Sequence, residues 1–129
     1  MNIPESYQDL FKDEAKAYLY LATIMPDGTP QVTPVWFSMD EKYLLINTAE
    51  GRTKDLNMQA RPNVALVIQD PIDPYRYVQI RGQVAERTTE GADAHIHALS
   101  QKYRGKAWII PPGEKRLLYK ISLDKVSAR

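Results

Sequence analysis

Six short apolar or alternating runs, the first three joined by tight turns, constrain the fold of this 129-residue chain more than any other feature. Ala17–Met25 and Gln31–Ser38 flank Pro26-Asp-Gly-Thr29, where Pro suits the first corner and Gly28 a positive φ, so the two runs form a hairpin. Met39-Asp-Glu-Lys42 turns the chain again into Tyr43–Asn47. Val64–Gln69, Tyr75–Glu86 and Arg116–Leu123 read as three further strands, and Gly82 inside the longest predicts a bulge or a sharp bend. Few connections are long enough to be helical crossovers, so the sheet is expected to be mainly antiparallel. The expectation is a mainly β, α+β fold: a small six-stranded antiparallel barrel, closed or nearly so, with short helices outside it.

Three helices complete the pattern. Tyr7–Lys16 offers Leu10, Phe11 and Ala15 as one apolar stripe. A short helix follows Gly51 and stops at Arg61-Pro-Asn63, because Pro is not carried inside a helix. Thr89–Tyr103 forms the third, ended by Arg104-Gly105. At this length residues 1–129 are expected to form a single domain.

Composition narrows the function classes. Seventeen basic and 16 acidic side chains leave a net charge of +1, which is no footprint for general nucleic-acid or membrane binding. The absence of cysteine excludes disulfides, thiolate-bound zinc and a cysteine nucleophile. No run approaches the ~20 apolar residues needed to span a bilayer, and Met1-Asn-Ile-Pro-Glu-Ser6 lacks a signal-peptide layout. The expected location is cytoplasmic.

The segment Thr48-Ala-Glu-Gly-Arg-Thr-Lys-Asp-Leu-Asn-Met-Gln59 carries the clearest chemistry. It runs from a strand through Gly51 into a helix, and Arg52 and Lys54 flank that helix's first turn. Free N–H groups and the positive dipole end favour an anion there. A guanidinium and an ammonium add charge-assisted hydrogen bonds suited to phosphate.

Other candidates are weaker. His95 and His97 are two positions apart on a helix, point to different faces and cannot chelate one ion, so no metal site is expected and both read as surface histidines. No Gly-x-Ser-x-Gly elbow, glycine-rich phosphate loop or Rossmann fingerprint is present. No catalytic side chain is assigned. Pro34 inside Gln31–Ser38 removes a ladder donor, so that strand is expected at an edge or locally unpaired. Trp36 beside it suits either core packing or the face of a planar ligand. Trp108 and Pro111-Pro112 suit either the acceptor side of a cleft or packing across a dimer.

Taken in order, Leu21-Ala-Thr-Ile-Met-Pro-Asp-Gly-Thr-Pro-Gln-Val-Thr-Pro-Val-Trp-Phe37, Gly51-Arg-Thr-Lys-Asp-Leu-Asn57, Arg61-Pro-Asn-Val-Ala-Leu66 and Tyr77-Val-Gln-Ile-Arg-Gly82 resemble the pyridoxamine-phosphate-oxidase-like split barrels. The likeness is to their flavin/deazaflavin, F420-dependent oxidoreductase branch. It implies a homodimer with two cofactor sites along the subunit groove. By that resemblance, positions matching Arg52 and Lys54 hold the cofactor phosphate, helped by Thr48 and Thr53. The strand matching Thr33, Pro34, Val35 and Trp36 carries the tricyclic ring. Tyr75 and Arg76 of the partner chain close the site. One departure is Met58 where the family helix often carries Leu, and methionine fills the same apolar gap.

The implied activity is hydride transfer from reduced coenzyme F420 to a small conjugated organic acceptor. An FMN-dependent oxidoreductase or flavin carrier of the same fold is the alternative, and a non-catalytic flavin- or tetrapyrrole-binding module is the third. A polyglutamate tail on F420 needs further cations, for which Lys12, Lys16 and Arg61 are the candidates.

Overall fold

The computed structural model describes residues 3–128. Seven strands form one antiparallel sheet: β1 Tyr18–Ile24, β2 Pro30–Val35, β3 Phe37–Met39, β4 Leu44–Ala49, β5 Asn63–Gln69, β6 Tyr77–Thr88 and β7 Arg116–Ala128. Their order is β2-β1-β5-β6-β7-β4-β3. The two edge strands, β2 and β3, are separated in sequence by Trp36 alone. Two Cα steps of about 3.8 Å carry the chain from one edge to the other, so the sheet must curl until its edges nearly meet. The result is a split barrel with Trp36 at the seam.

The expected run Gln31–Ser38 is therefore two strands, and the count is seven rather than six. Leaving one edge for the other takes Trp36 out of both ladders. Pro34 is tolerated because β2 pairs only with β1. The helix expected over Tyr7–Lys16 is instead two 3-10 turns, Glu5–Phe11 and Asp13–Ala15. Lys12 is extended between them at φ −85° and ψ 150°, which lets Leu10 and Phe11 turn into the barrel instead of forming a stripe.

Alternation builds the interior. Leu19, Leu21, Val64, Leu66, Ile68, Val78 and Ile80 face inward from β1, β5 and β6, and Leu44, Ile46, Leu117, Tyr119 and Ile121 from β4 and β7. Each large apolar side chain buried there contributes about 1.5–3 kcal/mol relative to exposure. Phe11 meets Phe37 edge-on at 6.5 Å between ring centroids. β6 bends as expected: its register shifts between Arg81 and Gly82, where a Cβ would fall 1.9 Å from the Ser122 carbonyl oxygen.

Helix α1, Thr53–Ala60, connects β4 to β5, and α2, Ala92–Arg104, connects β6 to β7. α2 packs on the outer face of β4 and β7 and ends on Gly105 at φ 71°. No helix among the described residues is long and apolar enough to cross a membrane.

Candidate functional site

The start of α1 is fixed from within the core. Gly51 takes φ 88°, and its N–H donates to Asp55 Oδ2 at 2.9 Å, the third helical residue reaching back over the turn. Asp55 is fully buried and also accepts from Arg87 Nε at 3.0 Å and from the Tyr119 hydroxyl. Burial alone would raise its carboxyl pKa, but Arg87, Tyr119 and the Gly51 N–H hold it below the usual range. Arg52 occupies the cap position and supplies no side-chain acceptor, so the helix's positive end stays open toward solvent.

Beside that end lies a cleft of about 440 Å³. Pro34, Val35 and Trp36 from the barrel seam form one wall, and Asn47, Thr48 and Ala49 from β4 the floor. Ile96 and Leu99 of α2 and Trp108 line it as well. Tyr18 and Leu19 complete the wall near β1, while Arg52, Lys54 and Arg116 bring positive charge to the cleft.

The cations differ in how they are held. Arg52 is 61% exposed, whereas Arg116 is 7% exposed and donates through Nε to Asn47 Oδ1 at 2.8 Å and through Nη1 to Glu114 Oε2 at 3.2 Å. Lys54 is half-buried and has no hydrogen-bond or ion-pair partner among the described residues. Burial first, then the neighbouring charges of Arg52 and Arg116, push its ammonium pKa below the usual lysine value. Three cations line one cleft with one of them unpaired, an arrangement that can receive an anion.

The lining also carries an aromatic cluster. Trp36 stacks on Tyr103 at 5.4 Å and 8° between planes, and meets Trp108 edge-to-face at 5.7 Å. Tyr103 is anchored by its hydroxyl, which donates to the Ala17 carbonyl at 2.9 Å. Its burial raises the phenol pKa well above the ordinary value.

The reading of His95 as a surface residue is corrected. Its ring is half-buried between α2 and the sheet, with Nε2 3.0 Å from Ser38 Oγ and Nδ1 3.2 Å from the Asn47 amide nitrogen. Burial, then Arg116 and Lys102, lower its pKa to about 4. Periodicity alone misses this, because α2 turns that face onto polar positions of β3 and β4. Neither His95 nor His97 lines the cleft.

Of the residues expected at a cofactor site, Pro34, Val35, Trp36, Thr48, Arg52 and Lys54 come together around this cleft. Thr33 sits one residue away with its Oγ1 buried and unpartnered, and Thr53 is exposed at the first helical position. Tyr75 is 88% exposed and away from the cleft of its own chain. Arg76 is engaged by Asp9, Asp70 and the Ser6 carbonyl, pinning the β5–β6 loop to the first 3-10 turn. Of the tail-binding candidates, Arg61 is already committed to the Ile24 carbonyl at 2.7 Å and to Asn57. Asn47 and Arg116 were not expected at the site. The signal that finds them is register: Ala49 pairs with Arg116, so Asn47 and Arg116 are diagonal neighbours on one sheet face.

The family model described as pyridoxamine 5'-phosphate oxidase matches residues 3–128. Among solved structures, an F420 reductase is 34% identical, covering 97% of this chain and 98% of its own, with a TM-score of 0.85. A conserved hypothetical protein from Mycobacterium tuberculosis shares the fold at 20% identity, covering 98% of this chain and 84% of its own, with a TM-score of 0.75. The General Stress Protein 26 of Bacillus anthracis does so at 17% identity, 94% and 92% coverage and a TM-score of 0.68.

Proposed function

The chain belongs to the pyridoxamine 5'-phosphate oxidase family, and from that premise we propose that it is an oxidoreductase using a flavin-type cofactor in this cleft to reduce a small conjugated organic acceptor. Coenzyme F420 is the cofactor in this reading, supported by the 34% identity to an F420 reductase along nearly the whole chain. FMN is the second reading, since Arg52 and Lys54 meet a phosphate that both cofactors carry.

The observation that carries the proposal is the unpartnered, half-buried ammonium of Lys54 beside Arg52 and Arg116 at an apolar, tryptophan-walled cleft. A desolvated charge among like charges destabilises the free protein. A ligand that is a phosphate at one end and a flat apolar ring at the other relieves it and fills the cleft, so the residues present fit such a cofactor.

When bound, the cofactor supplies the hydride chemistry. The chain's own residues then have simple duties. Arg52, Lys54 and Arg116 hold the anion with the open end of α1. Pro34, Val35 and Trp36 face the ring, while Ile96, Leu99 and Trp108 keep water from it. Tyr18 is the phenol available beside water as a proton source. No histidine lines the cleft, so a tetrapyrrole placed there would find no histidine of this chain as a ligand.

A homodimer is part of the proposal. Val32, Ala22 and Ala65 stand side by side on the outer sheet face, as do Pro34, Tyr20 and Val67, so these rows are largely apolar across β2, β1 and β5, with Arg81 and Gln79 next in register on β6. By the family resemblance, the Tyr75–Arg76 segment of the second copy would close the cleft.

Titration with F420 and with FMN, followed by absorbance and by tryptophan fluorescence from Trp36 and Trp108, tests the reading. Saturable binding of either cofactor that is lost in the Arg52→Ala/Lys54→Ala double variant supports it. Binding of neither, or binding indifferent to both substitutions, rejects it.

A further inference from the structure

We propose that Glu114 is a resident counter-anion of the cleft, displaced when a ligand's anionic group enters, and that it sets how readily the site exchanges its ligand. The inference rests on the cleft being the anion-binding site argued above. Glu114 Oε2 accepts from Arg116 Nη1 at 3.2 Å and its Oε1 lies 4.0 Å from Arg52 Nη2. Its side chain is 17% exposed, so it spans two of the three cations from a partly desolvated position. Among the described residues no other carboxylate pairs with a cation lining the cleft: Asp55 is committed to Arg87, and Glu50 to Lys115.

A phosphate approaching Arg52, Lys54 and Arg116 meets this carboxylate. Two anions at the same guanidinium groups repel, and the more so where water is partly excluded. One of them must yield, and the local backbone suits Glu114 to do so. It ends the turn Pro111-Pro112-Gly113-Glu114, closed by its own N–H to the Pro111 carbonyl at 3.1 Å, with Gly113 at φ 81°. Arg116 is held independently by Asn47 and by the β4–β7 ladder, so the carboxylate can leave without dragging its partner away. Glu114 itself lines a groove with Glu50, Arg52, Gly113 and Lys115, beside the cleft rather than within it, which gives it room.

The competing role for Glu114 is to orient the two arginines, and it predicts the opposite sign. Orientation makes removal of the charge weaken anion binding, whereas displacement makes removal strengthen it. The test uses full-length wild type, Glu114→Gln and Glu114→Asp, each checked for an unchanged thermal transition, titrated with inorganic pyrophosphate, F420 and FMN at low ionic strength. Displacement predicts about tenfold tighter binding and slower release in Glu114→Gln, the size of one charge-assisted contact, with Glu114→Asp close to wild type. Unchanged or weaker binding by Glu114→Gln, with wild type binding normally, overturns the role of Glu114 and leaves the cofactor site standing. Binding by none of the three proteins overturns both.

Discussion

Asn47 Oδ1 accepts a hydrogen bond from Arg116 Nε at 2.8 Å, across the diagonal of the β4–β7 ladder. That contact also fixes which way the Asn47 amide points. Its nitrogen then donates to the Ala92 carbonyl at 2.8 Å and faces His95 Nδ1 at 3.2 Å, tying α2 to the sheet beneath the cleft. The guanidinium plane of Arg116 is thus set by the fold before any ligand arrives, and preorganised donors of this kind lose little entropy on binding. The site's cations divide into one anchored, one exposed and one unpaired.

The unpaired cation gives a prediction of opposite signs in one variant. Lys54→Met keeps most of the side chain's volume and removes a half-buried charge that Arg52 and Arg116 disfavour. Its thermal transition without ligand should be unchanged or higher than wild type's, since strained charges at binding sites oppose stability. Cofactor affinity should fall about ten- to hundredfold, the loss of a charge-assisted contact of roughly 1.5–3 kcal/mol. A melting temperature several degrees lower, with affinity intact, would place Lys54 in the structure rather than at the ligand.

Asp55 should behave in the contrary way. Asp55→Ala takes the shared carboxylate from the Arg87 guanidinium and the Tyr119 hydroxyl and frees the Gly51 N–H. Arg87 keeps water and the Tyr119 hydroxyl, so the loss is that of the buried carboxylate's hydrogen bonds, roughly 1.5–3 kcal/mol. Denaturant unfolding should show that loss. A change below about 1 kcal/mol would mean the network is not coupled to global stability.

These two residues mark what the sequence discloses and what it conceals. Gly51, Arg52 and Lys54 were legible because a strand, a glycine and a helix start follow one another locally, and local order fixes their chemistry. Pro34 announced an edge strand for the same reason. The break at Trp36 was not legible. Nothing in Gln31–Ser38 tells that the chain must leap between the two edges of one sheet, since the need arises from closure by β5, β6 and β7 far away in sequence. Arg116 and Asn47 were concealed likewise, being 69 residues apart and joined only by register. The first helix failed because three isolated apolar positions fit a stripe as well as they fit a plug for the barrel mouth.

His95 makes stability depend on pH in a defined window. The Asn47 amide nitrogen can only donate, so Nδ1 carries no proton and Nε2–H faces Ser38 Oγ. Protonating Nδ1 would set one donor against another, beside Arg116 and Lys102. With a folded pKa of about 4 against an ordinary 6.5, the unfolded chain binds the extra proton first as pH falls. Stability is therefore unaffected above about pH 6.5 and declines from there down to about pH 4, by on the order of 3 kcal/mol. Unfolding curves for wild type and His95→Asn should diverge across that interval, with the variant flatter. Parallel curves would show that the ring is free to leave its site.

The proposed homodimer can be broken where its face is flattest. Ala22 and Ala65 are paired in register on the outer surface, with Val32, 65% exposed, on the neighbouring edge strand. Small side chains in a row let a second sheet approach closely, and an edge strand carrying exposed apolar residues needs cover. Ala65→Arg adds a second long charged side chain at the end of that row, beside Arg81 on β6, without touching the core or the cleft. Light scattering should report a dimer for wild type at micromolar concentration and a monomer of 14.8 kDa for the variant. If the cleft is closed by the Tyr75–Arg76 segment of a second copy, the monomeric variant should also bind cofactor more weakly while its thermal fold remains cooperative. A wild type that is itself monomeric would remove the dimer and that half of the site together. A dimeric Ala65→Arg would move the interface elsewhere on the barrel.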